Sequence, residues 1–135
     1  MSGTDANATA LALVWFRNDL RLDDNPALQA ALDQGYVPIP VYIHAPDEGG
    51  DWRPGAASNA WRHRSLAALD AQLRKRGSQL RHFFGPSLAT LQSLLATSGA
   101  QAVFWNRRYE PAYERRDAHI KATLRQQGVH VESFN

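Results

Sequence analysis

The chain contains no cysteine. That excludes a disulfide framework, a thiolate nucleophile and a cysteine-built metal centre, and it fits a reducing cytoplasm. There is no apolar run near the ~20 residues that cross a bilayer. Residues 1–10 are small and polar, with Asp5 as their one charge, so neither a membrane span nor a secretory signal is predicted. Glycine is missing where phosphates would need it: no Gly-x-Gly-x-x-Gly follows the first apolar run and no Gly-x-x-x-x-Gly-Lys occurs anywhere, which argues against a phosphate-driven nucleotide site. The histidines, His44, His63, His82, His119 and His130, do not pair at helical spacings or with nearby carboxylates, so no metal site is predicted. Charge of one sign is scarce as well. With 15 Lys plus Arg, mostly arginine, against 13 Asp plus Glu, the net charge is +2, and acids and bases interleave. A module that held nucleic acid unaided would show a denser basic stripe. The expectation is a soluble, cytoplasmic chain whose 135 residues suffice for one domain burying about two-thirds of its unfolded surface.

The organising stretch is Leu11 to Leu32. Six consecutive apolar residues, Leu11 to Phe16, read as a strand buried on both faces, as in the centre of a parallel sheet. A polar loop follows and opens into a helix: Asp24 or Asn25 can cap it, Pro26 suits its first turn, and Leu28, Ala31 and Leu32 give an apolar face at i, i+3, i+4. Residues 1–10 offer nothing to bury and are expected to be a disordered leader.

Beyond Gly35, Val37 to Ile43 forms a second strand that begins loosely because Pro38 and Pro40 cannot donate to a ladder. His44 to Gly55 is a long Pro-, Gly- and acid-rich loop on the ligand side of the sheet. Ser58 is expected to cap a helix running to about Arg76, with Leu66, Leu69 and Leu73 on one face, Trp61 extending it and Gly77 as its stop. A strand over 79–84, a helix from Gly85-Pro86-Ser87 carrying Leu88, Leu91 and Leu95, a strand over 100–105, a helix from about Pro111 to Gln127 burying Ile120 and Leu124, and a strand over 129–134 complete the series. Strands alternating with helices predict an α/β fold: a Rossmann-like, doubly wound, five-stranded parallel sheet in the order 3-2-1-4-5 with helices on both faces.

In that order strands one and four flank the switch point, where ligands bind beyond the carboxyl ends of the strands. The loops there hold Arg17, Asn18 and Asp19 on one side and Asn106 to Glu110 on the other. Arg17, Asp19 and Arg21 suit either a ligand or a network tying the loop to the last helix through Arg116 and Asp117. Trp15, Phe16, Phe104 and Trp105 read as core. Trp52 lies in the long polar loop, where no core obviously claims it.

Trp15-Phe-Arg-Asn-Asp-Leu-Arg-Leu-Asp-Asp-Asn-Pro-Ala-Leu28 resembles the opening signature of the DNA photolyase and cryptochrome family. Echoes follow in register: Pro40 to Ile43, Ser58 to Arg62, Ser65 to Asp70, Leu73-Arg74, Gly77-Ser78, Tyr109-Glu110-Pro111 and Arg116-Asp117. The stretch from Trp52 to Gly77 is similar to plant cryptochromes and the bacterial photolyases related to them. The resemblance covers residues 11–135 and implies the amino-terminal, antenna-binding α/β domain of a longer protein, the helical FAD-binding domain being absent from this chain. It implies a part in light-driven repair of cyclobutane pyrimidine dimers in the full-length protein, where deoxyribodipyrimidine photo-lyase activity would reside, with no FAD bound by this piece. Alternatives are a cryptochrome-type blue-light photoreceptor domain and a stand-alone nucleotide-binding α/β module.

The partners it implies are the missing FAD domain and, for the full-length protein, damaged DNA. A surface left for that domain is expected to drive some self-association. The antenna would be methenyltetrahydrofolate or 8-hydroxydeazaflavin, held by Arg17, Asp19, Ile43, Ala45, Trp52, Asn106, Tyr109 and Glu110. A planar polar heterocycle needs an aromatic or aliphatic wall and a few fixed hydrogen-bond partners, and these loops offer both. One departure stands out. Where the folate-binding enterobacterial type presents an Asn-Glu pair after Tyr-Glu, this chain has Ala112 and Tyr113, which excludes that folate geometry.

Overall fold

The computed structural model describes residues 10–49 and 56–135. Five parallel strands, β1 (Leu11–Phe16), β2 (Val37–His44), β3 (Arg81–Phe84), β4 (Ala102–Asn106) and β5 (His130–Phe134), form one sheet in the order β3-β2-β1-β4-β5. The helices are α1 (Pro26–Asp33), α2 (Ala56–Lys75), α3 (Ser87–Ser98) and α4 (Pro111–Gln126), and a short 3-10 turn covers Pro46–Gly49. Fold class and strand order are as expected. β1 is central and buried from Ala12 to Phe16, because its unbroken apolar run lets successive side chains enter cores on opposite faces.

The even-numbered residues Ala12, Val14 and Phe16 pack with α1 and with Leu69 and Leu73 of α2. The odd-numbered Leu13 and Trp15 pack with Leu91 of α3 and with Ile120 and Leu124 of α4. Trp15 and Trp105 meet edge to face, 5.3 Å between centroids, and with Phe16 and Phe104 they belong to the core.

Four local expectations are corrected. Asn25 does cap α1, its side chain accepting from Leu28 N at 3.1 Å, but Leu32 is 48% exposed and the buried face is Ala27, Leu28 and Ala31. At 100° per residue Leu32 lies roughly 90° from the centre of that face. The helix settles with the two alanines, rather than a second leucine, against the sheet. α2 begins at Ala56, so Ser58 stands inside the helix rather than at its cap. Leu66, Leu69 and Leu73 are buried, but Trp61 is 49% exposed and does not extend their face.

The third strand is shorter than the predicted 79–84. In β2 the odd-numbered amides face β1, as Val37 N does in donating to Ala10 O. The even-numbered positions therefore face β3, and the register Val41↔Arg81 sets Pro40 opposite residue 80 and Pro38 opposite residue 78. Neither proline has an N–H to give, so pairing starts only at Arg81. Leu80 N turns to the Asp70 carboxylate of α2 instead, at 2.8 Å. The first strand keeps its expected bounds, and those of the other strands move by at most two residues.

Candidate functional site

At the carboxyl edge of the sheet the chain leaves β1 at Arg17, β2 at Ala45 and β4 at Arg107. Arg17 is buried and engaged through both terminal nitrogens, while its Nε has no hydrogen-bond partner among the described residues. Its guanidinium donates to both Asp117 oxygens, at 3.0 and 2.9 Å, and to Asn106 O at 2.6 Å, and it lies 4.5 Å above the Trp15 ring. Burial lowers the Arg17 pKa while Asp117 opposes that. Arg116 also holds Asp117 Oδ1, at 2.9 Å, and reaches Glu48 at 3.2 Å. Glu48 in turn accepts from Ser87 N and Oγ at the start of α3. Of the two uses open to Arg17, the network to the last helix is the one present.

Asp19 and Asn106 form the second half of the constellation. Asn106 Nδ2 donates to Asp19 Oδ2 and to Asn25 Oδ1, at 2.5 and 2.8 Å, while Asn106 Oδ1 accepts from Ala27 N at 3.0 Å. Asp19 Oδ1 accepts from Arg17 N at 2.9 Å. Arg21 points elsewhere: it donates to Asp23 O and Asp24 O and secures the turn in which Asp24 takes a φ of +49°. The dense polar run between β1 and α1 thus locks the loop shut against β4 and α4.

The predicted site residues divide between two neighbouring clefts. The first lies between the β1 and β2 loops and α4, a narrow recess with a cavity volume of about 60 Å³ that opens to solvent at its mouth. Arg17, Ile43 and Ala45 line it, together with Arg62, Arg116 and Tyr113. The second, about 430 Å³ and also open, lies at the switch between β1 and β4 and gathers Asp19, Asn106, Tyr109 and Glu110. Arg108 borders both and makes the wall between them. Its guanidinium stacks 3.8 Å over Tyr113 and pairs with Glu110 at 2.8 Å, which holds the Glu110 carboxyl below its ordinary range. Trp52 lies outside the described residues.

Sequence reasoning missed Arg62, Arg108 and Tyr113 as lining residues. For Tyr113 the spacing carried a signal: 113, 117, 120 and 124 recur at helical period, and all four are buried on the inner face of α4. Tyr113 sits between two guanidiniums, Arg116 standing 4.5 Å from its ring on one contact and Arg108 on the other. Arg62 comes from the polar side of α2, where sequence periodicity sees only a solvated face.

Among the described residues the first cleft is lined by no carboxylate and carries four guanidiniums, Arg17, Arg62, Arg108 and Arg116. Tyr42 at its wall is pushed up by burial, and His44 is pushed down by burial and then by Arg62. Such a lining suits an electron-rich ligand, beside a His44 imidazole that burial keeps neutral. Among the described residues no three His, Asp or Glu side chains gather as metal ligands, and no helix is long and apolar enough to cross a membrane.

A family model described as DNA photolyase matches residues 12–135. The chain belongs to the DNA photolyase family. It is 44% identical to a bacterial class III photolyase from Agrobacterium tumefaciens of known structure, over 94% of this chain and 26% of that one, with a TM-score of 0.86. It is 42% identical to Cryptochrome-1 of Arabidopsis thaliana, over 92% of this chain and 18% of the plant protein. An archaeal photolyase structure from Sulfolobus tokodaii, described with two FAD molecules and as implying a novel light-harvesting cofactor, matches at 29% identity over 92% of this chain and 29% of that one, TM-score 0.80. The chain thus spans about a quarter of the length of such photolyase-family relatives.

Proposed function

We propose that this chain is the amino-terminal α/β domain of a DNA photolyase and that its first cleft holds a light-harvesting antenna chromophore. The observation that carries the reading is the cleft itself: an arginine-lined recess, with no carboxylate among the described residues that line it and an Ile43–Ala45 wall, at the carboxyl edge of a photolyase-family sheet. A folate or 8-hydroxydeazaflavin is planar and rich in acceptors, and folate carries carboxylates. Guanidiniums suit both, and the donor set therefore fits either group. When bound, the antenna would supply light absorption and energy transfer. The protein's part is to seat and orient it, with Arg62 and Arg108 as donors and Ile43 and Ala45 as the aliphatic wall. Asp19, Asn106, Tyr109 and Glu110 would then shape the neighbouring loop rather than touch the chromophore. FAD and the damaged-base site belong to a carboxyl-terminal domain that partners this one, and dimer repair belongs to the two together.

Fluorescence titration of the chain with methenyltetrahydrofolate and with 8-hydroxydeazaflavin tests the cleft. Arg62→Ala is expected to weaken binding about tenfold, the loss of one charge-assisted hydrogen bond, and Tyr109→Ala to leave it within about twofold. The reverse pattern would move the ligand to the second cleft, and no saturable binding by either chromophore would remove the proposal.

The cryptochrome reading is favoured by the near-equal identity to Arabidopsis Cryptochrome-1, 42% against 44% for the bacterial photolyase. Light-dependent cleavage of pyrimidine dimers by the protein joined to its flavin domain decides between them, repair supporting photolyase and its absence supporting the photoreceptor.

A further inference from the structure

Bordering both clefts at Arg108, a groove of about 360 Å³, open to solvent, runs between the flank of α4 and the end of edge strand β5. Ala118 and Ala122, one turn apart on α4, and Trp105 line it. Besides Arg108, which pairs with Glu110, three cations meet there: Arg107 just past β4, and Lys121 and Arg125 one turn apart on α4. All are held by neutral acceptors. Ser133 Oγ accepts from Lys121 Nζ at 2.5 Å and from Arg107 Nε at 3.2 Å, and Arg125 donates to Val131 O at 2.8 Å.

Among the described residues none of the three is ion-paired with a carboxylate. The acids that line the groove are Glu114, two turns back along α4, and Asp117, whose oxygens serve Arg17 and Arg116. Two like charges on one hydroxyl, with Arg125 beside them, repel one another. The Lys121 ammonium is accordingly held below its ordinary range, by burial first and then by Arg125 and Arg107.

We infer that this groove is a binding site for the phosphoryl group of a small phosphomonoester, whose organic body lies along Ala118 and Ala122. Ser133 Oγ already accepts twice, so its O–H is left to donate to an incoming oxygen. With Lys121, Arg107 and Arg125 it presents donors from the β4 loop, from α4 and from β5. That spread suits a tetrahedral oxyanion better than a planar carboxylate, and charge-assisted bonds to a phosphate dianion would offset the repulsion among the cations. The groove has more room than a bare phosphate needs, which is why an attached ring is expected.

The test is an NMR titration of the chain with inorganic phosphate and with adenosine 5′-monophosphate, using chloride and adenosine at matched ionic strength as references. The amides of Arg107, Lys121 and Ser133 are expected to shift saturably, the monophosphate binding about tenfold more tightly than phosphate, and the Lys121 Cε titration is expected to move to higher pH when either is bound. Lys121→Gln and Arg125→Gln should each weaken binding about tenfold, the equivalent of one charge-assisted hydrogen bond. A phosphate response no larger than that of chloride, equal binding of adenosine and its monophosphate, or binding of duplex DNA with no response to either phosphate would overturn the proposal. The Lys121 titration needs no substitution, so a variant that fails to fold leaves the outcome decidable.

Discussion

Gly49 and Tyr113 touch with no room between them. A Cβ built on Gly49 would stand 2.6 Å from the Tyr113 hydroxyl oxygen and 3.0 Å from Cζ. The turn after β2 thereby rests on the ring that Arg108 and Arg116 flank. Gly49→Ala is expected to destabilise the fold by about 1–3 kcal/mol, the usual cost of overpacking. Tyr113→Phe, which removes the oxygen nearest the new methyl, should recover part of that loss. A double-mutant cycle by urea denaturation reads the coupling, and strict additivity of the two changes would contradict the contact.

Asp117 compensates two guanidiniums at once, those of Arg17 and Arg116. Asp117→Asn leaves the buried Arg17 charge without its counter-ion and should cost about 3–5 kcal/mol. Arg17→Met in the same background should restore much of that, since the uncompensated charge leaves with it. The urea midpoint of the double variant, compared with that of the single one, is the check.

Asn106 is expected to matter structurally more than its position in the second cleft suggests. Asn106→Ala strips a donor from Asp19, a donor from Asn25 and the acceptor of Ala27 N, a loss on the order of 2 kcal/mol or more. Hydrogen exchange should show the Ala27 amide losing protection along with the start of α1. Unchanged protection there would mean that the α1 cap holds without Asn106.

On the β2–β3 face, His82 stacks on Phe84 and meets Tyr42 edge on, while His44 meets Phe84. Both histidines are depressed from the ordinary 6.5, by burial first and then by Arg62. A depressed folded pKa means that the unfolded chain takes up protons first as pH falls. Their contribution is therefore complete above pH 6.5 and is lost on acidification through the folded values. Stability measured against pH should decline just below 6.5, and His82→Gln should flatten the decline. An identical slope in that variant would assign the loss to other groups.

Much of this was legible in the sequence for physical reasons that operate locally. A short unbroken apolar run bounded by turn signals reads as a strand covered on both faces, and alternating strands and helices argue a parallel sheet. Asn25 and Pro26 announced the start of α1, and the spacing of Leu66, Leu69 and Leu73 announced the inner face of α2. What stayed hidden depended on pairs distant in sequence. The choice of Arg17 between ligand and network was settled by Asp117, one hundred residues away. The division of the predicted site into two clefts was settled by Arg108 turning onto Tyr113 and Glu110. Periodicity reports which face of a helix is apolar, but not that the polar Arg62 would face a cleft.

Pro38 and Pro40 have a bearing on how this sheet meets other chains. An exposed strand edge invites a neighbour's backbone to dock on it, and short edges limit that invitation. β3, the outer strand on this side, spans only Arg81–Phe84. Were β3 to peel away, the newly bared margin of β2 would offer no amide at residues 38 and 40, so along its amino-terminal half an incoming strand would find carbonyl acceptors but no donors and lose those ladder bonds. The prolines thus guard the sheet against strand-by-strand aggregation even in a partly unfolded state.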